Sequence, residues 1–202
     1  QAVSQAMAKR SDVSVVAVSL KKKEKGAFTG ETSCAMVKGA GGRGALVGQS
    51  ERRHVFGETE AETARKVRAL FAAGLQPLLC VGEKLEEREA GQTEEVVARQ
   101  LDAVLDGLPG DQAGALVIAY EPVWAIGTGK MARTADASAV HAFIRSVLAR
   151  HGVAARVPVL YGGSVNAGNA LGLVAEAEID GVLVGGASLD AEGWAEIVGM
   201  GG

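Results

Sequence analysis

From Val13 onward, short apolar runs alternate with longer stretches in which apolar positions recur every three or four residues. The runs VSVVAVSL (Val13 to Leu20), GALVG (Gly44 to Gly48), PLLCVG (Pro77 to Gly82), ALVIAY (Ala115 to Tyr120), PVLYGG (Pro158 to Gly163) and GVLVGG (Gly181 to Gly186) predict six β-strands. Helical spacing is clearest at Val67, Leu70 and Phe71, and at Val96, Val97, Leu101, Val104 and Leu105. Thr93 and Thr134 are placed as helix N-caps, with acidic residues following. Near-continuous apolar strands separated by helices predict an α/β fold with a parallel sheet covered on its faces. Neither a linker nor a shift of composition divides the chain, so residues 1–202 are expected to form one domain.

Composition sharpens this picture. With 48% hydrophobic but only 4% aromatic residues and 28 glycines, the core must be built from Ala, Val and Leu around many tight turns. No apolar run approaches the roughly 18 residues of a membrane span, and the first residues hold no apolar core of a signal peptide. A cytoplasmic protein with no membrane partner is expected. Cys34 and Cys80 lie in unrelated contexts and form neither a disulfide framework nor a metal cluster, and no metal or organic cofactor is implied. Lys21, Lys22, Lys23 and Lys25 read as a solvated charge run, so nucleic acid is not expected as a partner. GAGGRG (Gly39 to Gly44) precedes a strand instead of following one, which rejects a nucleotide-binding loop.

Residues able to do chemistry gather at the strand ends: Gln49-Ser50-Glu51, Glu121, Gly162-Gly163-Ser164 and Gly185-Gly186. Parallel α/β folds collect ligands at the carboxyl ends of their strands, and several ends converge on one site best in a barrel. Glu121 follows an apolar strand and precedes Pro122, so its carboxylate sits at the strand mouth on a stiffened backbone. There it can lift a proton beside a carbonyl once burial raises its pKa; without its context it would read as a strand-end Glu paired with a base. The stretch Pro122, Val123, Trp124, Ala125, Ile126, Gly127, Thr128, Gly129 and Lys130 has an apolar middle and permissive glycines near its end, the composition of a lid. The Ser164 hydroxyl and the N–H groups of Gly185 and Gly186, beside the start of a short helix, can hold an anion without a formal positive charge. His54, His141 and His151 are scattered and read as packing or surface residues.

AYEPVWAIGTGK (Ala119 to Lys130), taken with VGQSERR, YGGSVN and VGGASL in this order and spacing, resembles the triosephosphate isomerase family. GAFTGE (Gly26 to Glu31) and the segment from LCVGE to LEEREAG (Leu79 to Gly91) extend the resemblance over the whole chain. It implies a TIM-barrel-like fold and the glycolytic and gluconeogenic interconversion of dihydroxyacetone phosphate and glyceraldehyde 3-phosphate. By the same resemblance Glu121 is the base, Ser50 and Glu51 are polar supports, and Gly127, Ser164, Gly185 and Gly186 bind the substrate phosphate. Cys80 matches a core position of the family.

Two departures modify these expectations. The family pairs its glutamate base with a neutral histidine electrophile, an established pattern of this enzyme class, and Gln49 occupies the histidine's position. An amide can donate a hydrogen bond to a carbonyl oxygen but cannot carry a proton. Family members also run to roughly 250 residues and eight strands, whereas this chain corresponds to the family from the helix before strand three. About six βα units instead of eight are expected, without the first-strand loop that carries an Asn and a Lys in the family. The expectation is therefore a truncated isomerase with severely impaired or absent activity. The alternative is a non-catalytic oligomeric pseudoenzyme that keeps a phosphate-binding cradle. Two open sheet edges and an uncovered interior predict a homo-oligomer.

Overall fold

Helix α1 (Ala2–Met7) leads into strand β1 (Val16–Ala17), α2 (Cys34–Gly39), β2 (Gly44–Val47), α3 (Ser50–His54), α4 (Glu60–Ala72), β3 (Gln76–Val81), α5 (Leu85–Glu89), α6 (Thr93–Leu105), α7 (Gly110–Gly114), β4 (Val117–Tyr120), α8 (Thr134–Arg150), β5 (Val159–Tyr161), α9 (Ala167–Val174), β6 (Gly181–Val182) and α10 (Ala191–Gly199). This computed structural model describes residues 2–21, 26–126, 132–153 and 156–200. The six strands are parallel and neighbour one another in chain order, β1 to β6. They curl into part of a barrel with the helices outside, a TIM-barrel-like fold of six βα units.

Side chains of a strand alternate between faces, and the register aligns them into rows. Leu46 lies opposite Leu78, Cys80 opposite Ala119 and Ala119 opposite Leu160. These residues, with Val16 and Leu183, form a small apolar cluster distinct from the main one. The alternate residues Ala45, Val47, Leu79, Val81, Ile118, Tyr120, Val159 and Tyr161 belong to the large cluster that also takes in Val67, Leu70, Val97, Leu101 and Ile144 from the helices. The central strands are thus apolar on both sides, which is why their sequences read as runs.

Several helix ends are fixed by local hydrogen bonds. Thr59 and Glu62 make a reciprocal capping box at the start of α4, and Asn166 and Asn169 make one at α9. Thr93 and Thr134, expected as caps, are instead the first helical residues of α6 and α8; Gln92 and Arg133 hold the N-cap positions without a side-chain cap. Arg133 is drawn to Asp136 at 2.8 Å, so charge pairing takes the place of a cap there.

The edge strands are shorter than the sequence implies. β1 keeps only Val16 and Ala17, with Val18 72% exposed, and β6 ends at Val182. Among the described residues each pairs with one strand only, so its ladder is held from one side. Among the described residues, no helix is long and apolar enough to cross a membrane.

Candidate active site

Gly48 follows β2 with φ at +73°, and a Cβ there would come within 2.6 Å of Arg53 Nη2 and 3.1 Å of the Cys80 carbonyl oxygen. Glycine is required by both the backbone and the space. The turn it makes places Gln49 at the N-cap of α3 and Ser50 as its first residue. Arg53 then folds back: its Nε donates to the Gly48 carbonyl at 2.6 Å, Nη2 to the Cys80 carbonyl at 3.2 Å, and the guanidinium pairs with Glu60. One arginine therefore ties the ends of β2 and β3 together.

Gln100, from the middle of α6, clamps the end of β3. Its amide accepts from the Gly82 N–H at 2.8 Å and donates to the Gly82 carbonyl at 3.1 Å. A Cβ on Gly82 would lie 1.9 Å from the Glu121 carbonyl oxygen, so the two chains meet at backbone contact. The Glu121 N–H donates to the Val81 carbonyl at 2.7 Å, which fixes the glutamate just past β4.

Glu121 is only 6% exposed, and its Oε2 accepts the Ser50 N–H at 3.1 Å. Burial pushes its pKa up to about 7, against the pull of the Ser50 N–H and Arg53 and with the help of nearby Glu51. Beneath it, burial and the Glu121 carboxylate raise the Cys80 thiol. A Cβ on Gly162 would come within 2.9 Å of Glu121 Cγ, so this glycine makes room for the glutamate side chain. Gly48, Ser50, Arg53, His54, Gly82 and Val123 close around the carboxylate and leave no space the size of a water molecule. A buried carboxylate titrating near neutrality is chemically a base able to exchange protons at ordinary pH.

The sign of the stability linkage follows. In the unfolded chain Glu121 loses its proton near 4.5, but in the fold it keeps it up to about 7. The folded state is thus the more protonated between these values, and stability falls as pH rises through that window. Above it the ionised group costs about 3 kcal/mol. Glu121→Gln is expected to be more stable than the parent chain at pH 8 and to lose that advantage at pH 4.5. Denaturant titrations at the two pH values measure this, and an equal advantage at both would contradict it.

Gln49 is half-buried, and its side chain makes no capping bond. Ser50 Oγ lies 3.2 Å from Glu51 Oε2 and donates to it, so the two supporting residues expected beside Gln49 bond to each other. Pro122 precedes a 3-10 turn, Val123–Ala125, and the Val123 N–H donates to the Glu83 carbonyl at 3.0 Å. Trp124 Nε1 donates to Glu83 Oε1 at 3.0 Å, and the Tyr120 hydroxyl reaches both Glu83 oxygens at 3.0 and 3.1 Å. The Arg88 guanidinium lies over the Trp124 ring, 4.6 Å from its centroid. The first half of the expected lid is therefore anchored on a fully buried glutamate, with Ala125 buried and Ile126 half-buried after it. Gly127, Thr128, Gly129 and Lys130 lie outside the described residues, as do Lys22, Lys23 and Lys25.

Ser164 is half-buried and lines a cavity of about 220 Å³ with Tyr161, Ala132 and Asn169. Gly163 packs on the Tyr161 hydroxyl, where a Cβ would be 2.2 Å away. Gly185 and Gly186 are exposed and nothing crowds them; the Ser188 N–H and hydroxyl both donate to the Gly185 carbonyl, opening a 3-10 turn, Gly186–Leu189. The structure brings Ser50, with Gln49 next to it in the chain, against Glu121 across the ends of β2 and β4, whereas Ser164, Gly185 and Gly186 follow β5 and β6. Among the described residues no three His, Cys, Asp or Glu side chains gather as a metal site.

His141 is fully buried in α8, and its Nδ1–H donates to the Glu178 carbonyl at 3.3 Å. Burial lowers its pKa to about 4, so it is a neutral packing residue against Tyr120. The residues that the sequence reading did not single out are Gln100, Glu83, Tyr120 and Arg88. Glu83 alone had a local signal, as the last residue of the strand-end LCVGE.

Across residues 1–200 the chain matches the sequence model of a family described as triosephosphate isomerase. The chain belongs to the triosephosphate isomerase family. Curated relatives agree. The triosephosphate isomerase of Ralstonia nicotianae is 55% identical over 170 residues, covering 83% of this chain and 68% of the relative. That of Delftia acidovorans is 52% identical over 198 residues, covering 98% of this chain and 79% of the relative. A third, from Syntrophotalea carbinolica, is 50% identical over 192 residues, covering 94% and 76%.

Proposed function

We propose that the chain interconverts dihydroxyacetone phosphate and glyceraldehyde 3-phosphate at a severely reduced rate, with Glu121 as the base and Gln49 as a weakened electrophile. The observation that carries this reading is Glu121 itself, buried at a strand end, held by the Ser50 N–H and raised to about 7. To reach a substrate the carboxylate leaves that N–H. The segment from Pro122 to Lys130 acts as the lid, and Gly127, Ser164, Gly185 and Gly186 take the phosphate. Gln49 polarises the carbonyl by hydrogen bonding, while proton movement between the two substrate oxygens falls to Glu121 or to solvent.

The second reading is a non-catalytic oligomer that keeps the anion cradle. It is favoured by Gln49, which removes the proton carrier from the site. Both readings take residues 1–202 as one domain, supported by the main apolar cluster spanning sheet and helices. Both also take the protein as a cytoplasmic homo-oligomer, in line with two buried cysteines that form no disulfide. Turnover of glyceraldehyde 3-phosphate by rigorously purified protein, run beside Glu121→Ala, decides between them. Activity lost with Glu121 supports the isomerase; an equal background from both proteins leaves the binding reading.

A further inference from the structure

Gln100 is only 3% exposed in the middle of α6, among the buried Val97, Leu101 and Val104 that pack into the main apolar cluster. An amide in such a place is costly unless both of its ends are bonded. Here both are, and to a single residue: the oxygen accepts the Gly82 N–H at 2.8 Å and the nitrogen donates to the Gly82 carbonyl at 3.1 Å. Because one bond needs an acceptor and the other a donor, the pair also fixes which way the amide is turned.

The course of β3 explains why Gly82 needs such a clamp. The register of β2 with β3 ends at Val47 and Leu79, and the chain turns away at Gly48. Beyond that point β3 keeps β4 on one side, where the Val81 and Glu83 carbonyls accept the Glu121 and Val123 N–H groups at 2.7 and 3.0 Å. Side chains replace the departed strand: Arg53 holds the Cys80 carbonyl, and Gln100 holds both polar groups of Gly82. The segment held in this way lies directly against Glu121. A Cβ on Gly82 would be 1.9, 2.6 and 3.3 Å from the carbonyl oxygen, carbonyl carbon and nitrogen of Glu121.

We propose that Gln100 is a positioning residue for Glu121: by clamping Gly82 it holds the main chain on which the glutamate is seated, and so keeps the carboxylate enclosed. The effect reaches the carboxylate because its enclosure leaves no space the size of a water molecule. Release of the β3 end admits water and relaxes the burial that raises Glu121 to about 7. The same release displaces Glu83, whose carboxylate bonds Trp124 and whose carbonyl bonds Val123, so the start of the proposed lid shifts with the base. The inference rests on the reading of Glu121 as the working base, and one of its two readouts is independent of turnover.

The test uses Gln100→Met, similar in length but unable to make either bond. Gln100→Asn, which is neutral and too short to reach both Gly82 groups, takes its place if the methionine protein does not fold; circular dichroism and unfolding curves establish folding. Two quantities are then read: kcat and KM for glyceraldehyde 3-phosphate, and the titration midpoint of Glu121 from its side-chain carboxyl signal in carbon-13 NMR, assigned by its loss in Glu121→Gln. The expected result is a kcat lowered by about 10²-fold with KM little changed. The midpoint is expected to move from about 7 toward the ordinary 4.5. A role confined to stability would lower resistance to denaturant and leave the midpoint of the folded protein alone. A folded variant with the parent's midpoint therefore overturns the inference, whatever its rate. A parent protein no faster than Glu121→Ala ends the isomerase reading instead; the midpoint then decides by itself, a lowered value upholding the positioning role and an unchanged one overturning it.

Discussion

In Glu121→Ala the isomerisation rate is expected to fall by ~10²–10⁴, the usual worth of a positioned general base. The carboxylate is the group near the strand ends whose proton affinity lies close to neutrality, at about 7, and Gln49 beside it cannot take over. kcat should carry the loss, with KM little changed, because proton abstraction is an interaction made in the transition state and not in binding. The alanine also removes the acceptor of the Ser50 N–H, so a small loss of stability accompanies it. Glu121→Gln, which keeps an acceptor oxygen, should be equally inactive without that loss. Steady-state rates with glyceraldehyde 3-phosphate, paired with unfolding curves for both variants, check the two expectations together.

Gln49→His is expected to raise kcat/KM by ~10²–10³, because it restores a group that both donates to the substrate carbonyl and relays a proton. The position suits the change. Gln49 is the N-cap of α3, makes no side-chain capping bond and is only half-buried, so an imidazole displaces no partner. The helix start carries partial positive charge, which favours the neutral ring over the imidazolium. Since the proposed reading already has the Gln49 amide bonding to the carbonyl, the gain should lie in kcat. A variant no faster than the parent would mean that the missing proton relay does not limit the rate.

The strands were legible because the inner and outer rows of β2, β3 and β4 are both apolar, which writes each strand as a run. Their lengths at the edges were not, since Val18 and Gly185 belong to runs that lose their ladder where only one neighbour exists. Glu121 was legible through its place after a run and before Pro122. Its contact with Ser50 was not, because a backbone N–H 71 residues away leaves no mark on the sequence. Gln100 reads as a polar interruption between Val97 and Leu101, yet that buried position on α6 is what lets it clamp Gly82. Gly162 was legible only as a strand-end glycine; the structure uses it to admit the Glu121 side chain, a demand visible only once β4 and β5 are side by side.

The most direct test of the account is the pH dependence of kcat/KM for the purified parent protein between pH 5 and 9. A single proton dissociation is predicted, with activity halved at about 7 and rising tenfold per pH step below that, as Glu121 gives up its proton. A rate that stays flat down to pH 5, or one that persists unchanged in Glu121→Ala, would contradict the claim that this carboxylate is the working base.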